Sequence, residues 1–322
     1  MPAHTLWVLS NPAAPYLRLL EQLPDSTHIV TGDSEEAFAN APDPDAVMCG
    51  IGQAPLMQKL WPKVSRARWV HSFSAGIENV LFPELAESSI PMSNAKGVFG
   101  RSLGEYAIAA ALYFAKDFRR MIASQDQGVW DCYDVIEELT GRTMGIVGYG
   151  GIGRESAQRA KAMGMKVFAM RRNVAQSAGD PNVDRVFGAD QLEELLPLCD
   201  YVVVSAPNTP ETKGMIGAKQ LRLMKPTAVL MNLGRGPVIV EQDLIQALEE
   251  KWIKGAALDV FDIEPLPEGH AFYRLKNVLL SAHCADHTPG WLEESMQFFV
   301  DNFSRFHRGA PLENLVDKRA GY

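Results

Sequence analysis

Gly148-Tyr149-Gly150-Gly151-Ile152-Gly153 is a G-x-G-x-x-G run between the apolar stretch TMGIV and the helix-forming stretch RESAQRAKAM. Each glycine answers a steric demand. The first permits a tight strand-to-helix turn, the second lets a ligand approach the backbone, and the third lets helix and strand pack closely. Such a turn belongs to a parallel α/β sheet, and the rest of this half agrees. After Gly141 the apolar segments TMGIVG, KVFAM, YVVVSA, TAVLMNLG, GAALDVF and NVLLSAH alternate with helical stretches, which predicts six strands.

The first 95 or so residues show a similar rhythm. LWVLS, THIVTG, AVMCGIG, RWVHSFS and PMSNA read as strands and PYLRLLEQL as a helix. Ser102 and Glu105 have capping-box spacing, and AIAAALYFAKDFRRMIAS behind them predicts one long helix. Thr288 and Pro289 suit the N-cap and N1 of a last helix that ends at Gly309. Its Leu292, Met296, Phe299, Phe303 and Phe306 form one apolar stripe. This segment is too short to be a domain and should return to the first one. The expectation is an α/β fold of two lobes, Rossmann-like and flavodoxin-like, each on a parallel sheet. A dinucleotide-binding domain (99–289) is inserted into a substrate domain (1–98 and 290–322), with the site in the cleft between them.

Of the 322 residues, 47% are hydrophobic and 22% charged, as in a folded globular enzyme. Lys+Arg 31 against Asp+Glu 39 gives −8 without a basic run, which argues against a nucleic-acid partner. MPAHTLWVLSNPAAP has no basic n-region and reads as an opening strand rather than a leader. The apolar run from Ala107 to Ala115 is far shorter than the ~20 residues of a membrane span. Cys49, Cys132, Cys199 and Cys284 show no paired spacing, and a reducing cytoplasm is expected.

The glycine run, with its strand before and helix after, is expected to seat a dinucleotide pyrophosphate on Gly150, Gly151 and Ile152, with Gly148 and Gly153 shaping the turn. The end of the second strand sets the cofactor. NAD sites place a carboxylate there, about 20 residues on, to accept from the ribose 2′-hydroxyl. Here KVFAM runs into Arg171-Arg172-Asn173, with no carboxylate until Asp180. Two guanidiniums suit a 2′-phosphate, so NADP(H) is expected over NAD(H). The alternative is that both are ordinary strand-end charges.

Three downstream motifs lie at strand ends: Asn232-Leu233-Gly234-Arg235-Gly236, Leu258-Asp259-Val260-Phe261 with Glu264-Pro265-Leu266-Pro267, and Ser281-Ala282-His283. In this order, behind this fingerprint, they resemble the D-isomer-specific 2-hydroxyacid dehydrogenase family, in its glyoxylate/hydroxypyruvate reductase-like branch. Ser72-Phe73-Ser74-Ala75-Gly76 and Ser93-Asn94-Ala95-Lys96-Gly97-Val98 match the family's N-terminal signatures, so the likeness runs over nearly the whole chain. The resemblance implies that Arg235 binds the substrate carboxylate, His283 is the general acid/base, and Glu264 is its partner carboxylate. It implies that the amides of Ser74, Ala75 and Gly76 hold substrate from the other lobe. Pro207, Thr212, Leu233 and Asp259 match positions that line the cofactor, and the likeness further implies a homodimer. The chemistry agrees: a guanidinium fork matches a carboxylate, and a carboxylate beside an imidazole favours imidazolium. Departures from the family are Ser74 for a common Gly, Glu78 for a common Asp, and S-A-H-C for T-P-H.

Other readings remain open. His283, Cys284, Asp286 and His287 invite a metal, but no third well-spaced ligand set accompanies them, and none is expected. Within the class, a bulkier 2-oxo acid is the alternative substrate, with Phe73, Trp130, Tyr133, Tyr273 and Trp291 as aromatic candidates. Outside it, the alternative is a dinucleotide-sensing, corepressor-like binding protein.

Overall fold

The computed structural model describes residues 3–321 except 79, 133, 134 and 178. The chain divides into two compact units. One is Met1–Phe99 with Pro289–Tyr322, the other Gly100–Thr288.

In the first unit, β1 (His4–Leu9), β2 (Thr27–Gly32), β3 (Ala46–Cys49), β4 (Trp69–Ser72) and β5 (Met92–Asn94) form a sheet of order β2-β1-β3-β4-β5. All pairings are parallel. This is the flavodoxin-like order, with its reversal between β1 and β3. The last helix, Trp291–His307, lays Met296, Phe299, Phe303 and Phe306 against Leu6, Val8 and Trp69. Its N-cap is Gly290 at φ 86, not Thr288, while Gly309 closes it at φ 68. PYLRLLEQL forms a 3-10 helix over Pro15–Gln22.

The second unit is built on β6 (Thr143–Val147), β7 (Lys166–Met170), β8 (Arg185–Phe187), β9 (Tyr201–Val204), β10 (Val229–Asn232), β11 (Gly255–Leu258) and β12 (Val278–Leu280). The order is β12-β11-β10-β9-β6-β7-β8, all parallel. Val202, Val204 and Leu230 enter one core while Tyr201, Val203, Val229 and Met231 enter the other. Both faces are therefore covered, which is why these strands read as unbroken apolar runs. The sequence reading missed β8. It has three residues, starts on a charge and lies at the sheet edge.

Two helical expectations are corrected. The long helix is two, Gly100–Ala115 and Phe118–Asp126, broken where Asp117 takes the left-handed conformation at φ 53. The Ser102/Glu105 box does not form, because the helix starts at Gly100, two residues earlier. Ser102 Oγ instead donates to the Ala285 carbonyl at 2.7 Å, and Glu105 pairs with Arg159. The early start follows from packing. A Cβ on Gly104 would lie 2.8 Å from the Glu155 backbone, so only glycine admits the Gly151–Ala162 helix this closely.

Candidate active site

The strand order of the second unit reverses between β6 and β9, and the glycine run sits at that switch point, where open α/β sheets bind ligands. Gly148 is at φ 97, and a Cβ there would meet the Ala206 backbone at 2.5 Å. A Cβ on Gly153 would strike the Gly148 carbonyl at 2.8 Å. Gly150 differs: nothing lies within 4 Å of where its Cβ would be. Beside that open space the Gly151–Ala162 helix begins, with no side-chain cap and no acidic residue in its first turn. Bare backbone, open space and a helix N-terminus together fit a dinucleotide pyrophosphate. Ile152 packs on the core behind the loop.

At the end of β7, Arg171 Nη1 donates to Ser177 Oγ at 2.8 Å, and Nη2 donates to Gln176. Its fork is thus held by neutral acceptors. Burial, and then the like charge of Arg154, pulls its pKa down from the guanidinium range. Arg154, next after the glycine run, went unnoticed in the sequence; its guanidinium lies 5.9 Å from the Tyr149 ring centroid. The Glu211 carboxyl is held below its ordinary range first by the Thr209 hydroxyl, with Arg172 a lesser influence.

β10, β11 and β12 are neighbours, and Arg235, Glu264 and His283 follow their carboxyl ends in turn. Each turn is clamped. Asn232, 1% exposed, donates to the Arg235 carbonyl at 3.0 Å and accepts the Gly234 amide at 3.2 Å. Gly236 packs so closely that a Cβ would sit 2.0 Å from the Phe261 carbonyl carbon. Glu264 Oε1 accepts the Phe261 amide at 2.9 Å, and its Oε2 lies 2.7 Å from His283 Nδ1. The His283 side chain stays 45% exposed. Its backbone is left-handed at φ 49, and its amide donates to the Asp259 carbonyl at 2.8 Å.

Asp259, expected to line the cofactor, turns its carboxylate to the histidine turn. Oδ1 accepts from Ser281 Oγ at 2.7 Å and from the amides of Cys284 and Ala285 at 3.0 and 3.2 Å. Ser281 also meets the Tyr106 hydroxyl at 2.9 Å. Tyr106 and Ser102 carried no local sequence signal for this role, and Asn232 and Ser281 stood in the strand-end motifs without one. The carboxyl of Asp286, near His287 and His283, is raised by burial above its ordinary range.

Other expected site residues are placed as follows. Leu233 is a core residue, 2% exposed. Thr212 spends its hydroxyl on the Pro207 carbonyl and the Thr209 amide, closing a compact loop. In the first unit, the Ser74 carbonyl accepts the Ala95 amide at 3.2 Å, and the Ala75 carbonyl accepts Asn94 Nδ2 at 2.5 Å. Among the described residues no partner takes the amide of Ala75 or Gly76. Phe73 is core, stacked on Tyr16 at 5.0 Å, and therefore no pocket wall. Trp291 packs on Phe99, while Trp130 and Tyr273 are exposed. Tyr133 lies outside the described residues. All four cysteines are free thiols. Burial pushes Cys49 and Cys199 up to about 12, as inert core residues. Among the described residues no cluster of three or more His, Cys, Asp or Glu could hold a metal, and no helix is long and apolar enough to cross a membrane.

A glycine loop at a switch point, with an arginine, a glutamate and a histidine at neighbouring strand ends, defines an oxidoreductase of the dinucleotide-binding class. Comparison makes the family definite. Residues 108–285 match the model of the D-isomer specific 2-hydroxyacid dehydrogenase, NAD binding domain. A glyoxylate reductase of Thermococcus gammatolerans is 33% identical over 93% of this chain and 85% of its own length. A hydroxypyruvate reductase of Blautia hydrogenotrophica is 30% identical over 89% of each. A crystal structure of a D-isomer specific 2-hydroxyacid dehydrogenase family protein from Aeromonas salmonicida superposes with TM-score 0.86 at 29% identity, covering 98% of this chain and 100% of that one. The chain belongs to the D-isomer specific 2-hydroxyacid dehydrogenase family, and it is similar to the glyoxylate and hydroxypyruvate reductases within it.

Proposed function

We propose that this chain catalyses the NADP(H)-dependent reduction of a small 2-oxo acid, of the glyoxylate/hydroxypyruvate kind, to the D-2-hydroxy acid. The observation that carries this reading is the 2.7 Å pair of His283 Nδ1 and Glu264 Oε2, one strand end from Arg235. A bound reduced nicotinamide supplies the hydride to C2. Arg235 orients the substrate through its carboxylate, whose geometry a guanidinium fork matches. Glu264 fixes the ring through Nδ1, leaving Nε2 to hold the proton that His283 gives to the carbonyl oxygen and takes back in oxidation. Asp259, Ser281 and Ser102 hold the turn that aims the ring. The glycine loop and Arg171/Arg172 are assigned to pyrophosphate and 2′-phosphate, so residues 99–289 serve as the dinucleotide domain. The rest of the chain serves the substrate, with the amides of Ser74, Ala75 and Gly76 as candidate carboxylate donors.

Two further parts of the reading rest on particular features. A homodimer is supported by the exposed apolar residues Phe118, Met121, Ile122, Val129 and Trp130; sedimentation of an Ile122→Asp variant as monomer would bear this out. A cytoplasmic setting accords with the four free thiols. The decisive experiment sets a panel of 2-oxo acids against NADPH and NADH. Glyoxylate or hydroxypyruvate should turn over with an NADPH advantage, and His283→Ala should abolish it. Dinucleotide binding with no turnover of any 2-oxo acid would favour a sensor instead.

A further inference from the structure

The loop after β7 folds back on the glycine run and brings a carboxylate among its arginines. Asp180 Oδ2 accepts the Tyr149 hydroxyl at 2.8 Å, and Oδ1 accepts the Asn182 amide at 3.0 Å. Tyr149 is the first variable position of G-x-G-x-x-G and is 2% exposed. Its amide donates to the Met170 carbonyl, the last residue of β7, at 3.1 Å. Its backbone is therefore tied to the end of β7 and its ring hydroxyl to the loop that follows, at the strand end where this fold reads the ribose 2′-position of a dinucleotide. Arg154 lies over that ring, and both Arg154 and Arg171 act electrostatically on the Tyr149–Asp180 pair. Among the described residues Arg171 has only neutral hydrogen-bond acceptors, Ser177 and Gln176, and Asp180 is a carboxylate that offsets the two crowded guanidiniums.

We propose that Asp180, held by the Tyr149 hydroxyl beside Arg154 and Arg171, sets the balance between NADPH and NADH in this chain. The inference rests on the assignment of the β7-end arginines to the 2′-phosphate. A phosphate dianion entering this cluster meets the carboxylate as a like charge and must outcompete it for the guanidiniums. A free ribose 2′-hydroxyl meets the same carboxylate as an acceptor. Asp180 thus opposes NADPH and supports NADH. Burial alone would raise its pKa, but the Asn182 amide, the Tyr149 hydroxyl and Arg154 bring it below the ordinary carboxylate value, so it is an anion at neutral pH. Burial, and then the Asp180 carboxylate, raises the Tyr149 phenol, which remains a donor.

The test is calorimetric titration of the free protein with NADPH and with NADH, backed by kcat/KM for each. Asp180→Asn keeps the shape and an acceptor for the Asn182 amide. It should shift the ratio of the two dissociation constants about tenfold toward NADPH, the effect of one nearby charge that solvent largely screens. Tyr149→Phe frees the carboxylate to swing into solvent and should shift the ratio the same way, by less. A ratio that is unchanged or moves toward NADH in Asp180→Asn overturns the proposal. If that variant fails to fold, an unchanged ratio in Tyr149→Phe does so. Arg171→Ala and Arg172→Ala separate the two levels. NADPH binding unaffected by both sinks the phosphate assignment. Weaker NADPH binding in either, with Asp180→Asn inert, sinks this inference alone.

Discussion

Replacing Glu264 by Gln changes one charge in the acid–base pair and almost no volume. The carboxylate now serves two partners at once, His283 Nδ1 at 2.7 Å and the Phe261 amide at 2.9 Å. A glutamine cannot serve both as well. With its oxygen on the Phe261 amide, its NH2 faces Nδ1 and opposes a proton there; flipped, it leaves the amide donor facing another donor. A hydrogen bond to a charged group is worth ~1.5–3 kcal/mol. The lower half of that range applies, because the His283 and Glu264 side chains are 45% and 34% exposed and solvent screens the pair. A loss of about 2 kcal/mol from the protonated, correctly oriented ring corresponds to roughly a 30-fold fall in kcat for reduction. The assay is NADPH oxidation by glyoxylate at saturating cofactor, with NADPH affinity measured separately by fluorescence. Affinity should be unchanged, the solvent isotope effect on reduction should grow, and Glu264→Asp should recover part of the loss. A kcat equal to wild type, or a fall that merely tracks weaker NADPH binding, would refute the reasoning.

Three further outcomes are expected. Gly236→Ala puts a Cβ 2.0 Å from the Phe261 carbonyl carbon, where only backbone can yield, so stability should fall by at least about 2 kcal/mol with loss of turnover; an unchanged melting temperature would contradict the close approach. Ser102→Ala removes the 2.7 Å bond to the Ala285 carbonyl, and at about 1 kcal/mol it should cost roughly fivefold in kcat while leaving NADPH affinity intact. His71 is fully buried, and burial lowers its pKa from 6.5 to about 3, so the unfolded chain binds a proton that the folded chain refuses. Stability is therefore complete above the unfolded value and is lost as pH falls between 6.5 and about 3, by about 2 kcal/mol at about pH 5. Urea midpoints at two pH values should show a smaller drop in His71→Gln than in wild type; equal drops would rule out His71 as the cause.

The parts of the fold legible in the sequence share one physical trait: their signal is local. KVFAM is a strand to the residue, and TMGIV and YVVV are fully buried strands, because covered sheet faces demand continuous apolar runs. β8 had no such run to show, since an edge strand of three residues needs none. Ser102 and Glu105 illustrate the opposite hazard. Their spacing satisfies a local capping rule, yet a carbonyl 183 residues away and an arginine on the neighbouring helix outbid it. The candidate site divides the same way. Gly148 to Gly153, Arg235, Glu264 and His283 stood out because turns and charges at strand ends are punctuation. Tyr106 did not, and Asn232 and Ser281 stood in the motifs without a role, because a clamp has meaning only once its partner is in place.

That division has a consequence for cofactor choice. Arg171 and Arg172 were read from position alone, as a pair of cations with no carboxylate until Asp180. The folded loop supplies one: Asp180 is nine residues along the chain from Arg171, yet it reaches the Tyr149 hydroxyl inside the same cluster. A linear rule that looks for an acid at the end of the second strand cannot detect an acid delivered there by a returning loop. If Asp180 acts as proposed, counting arginines against carboxylates in sequence overstates the phosphate preference of this chain.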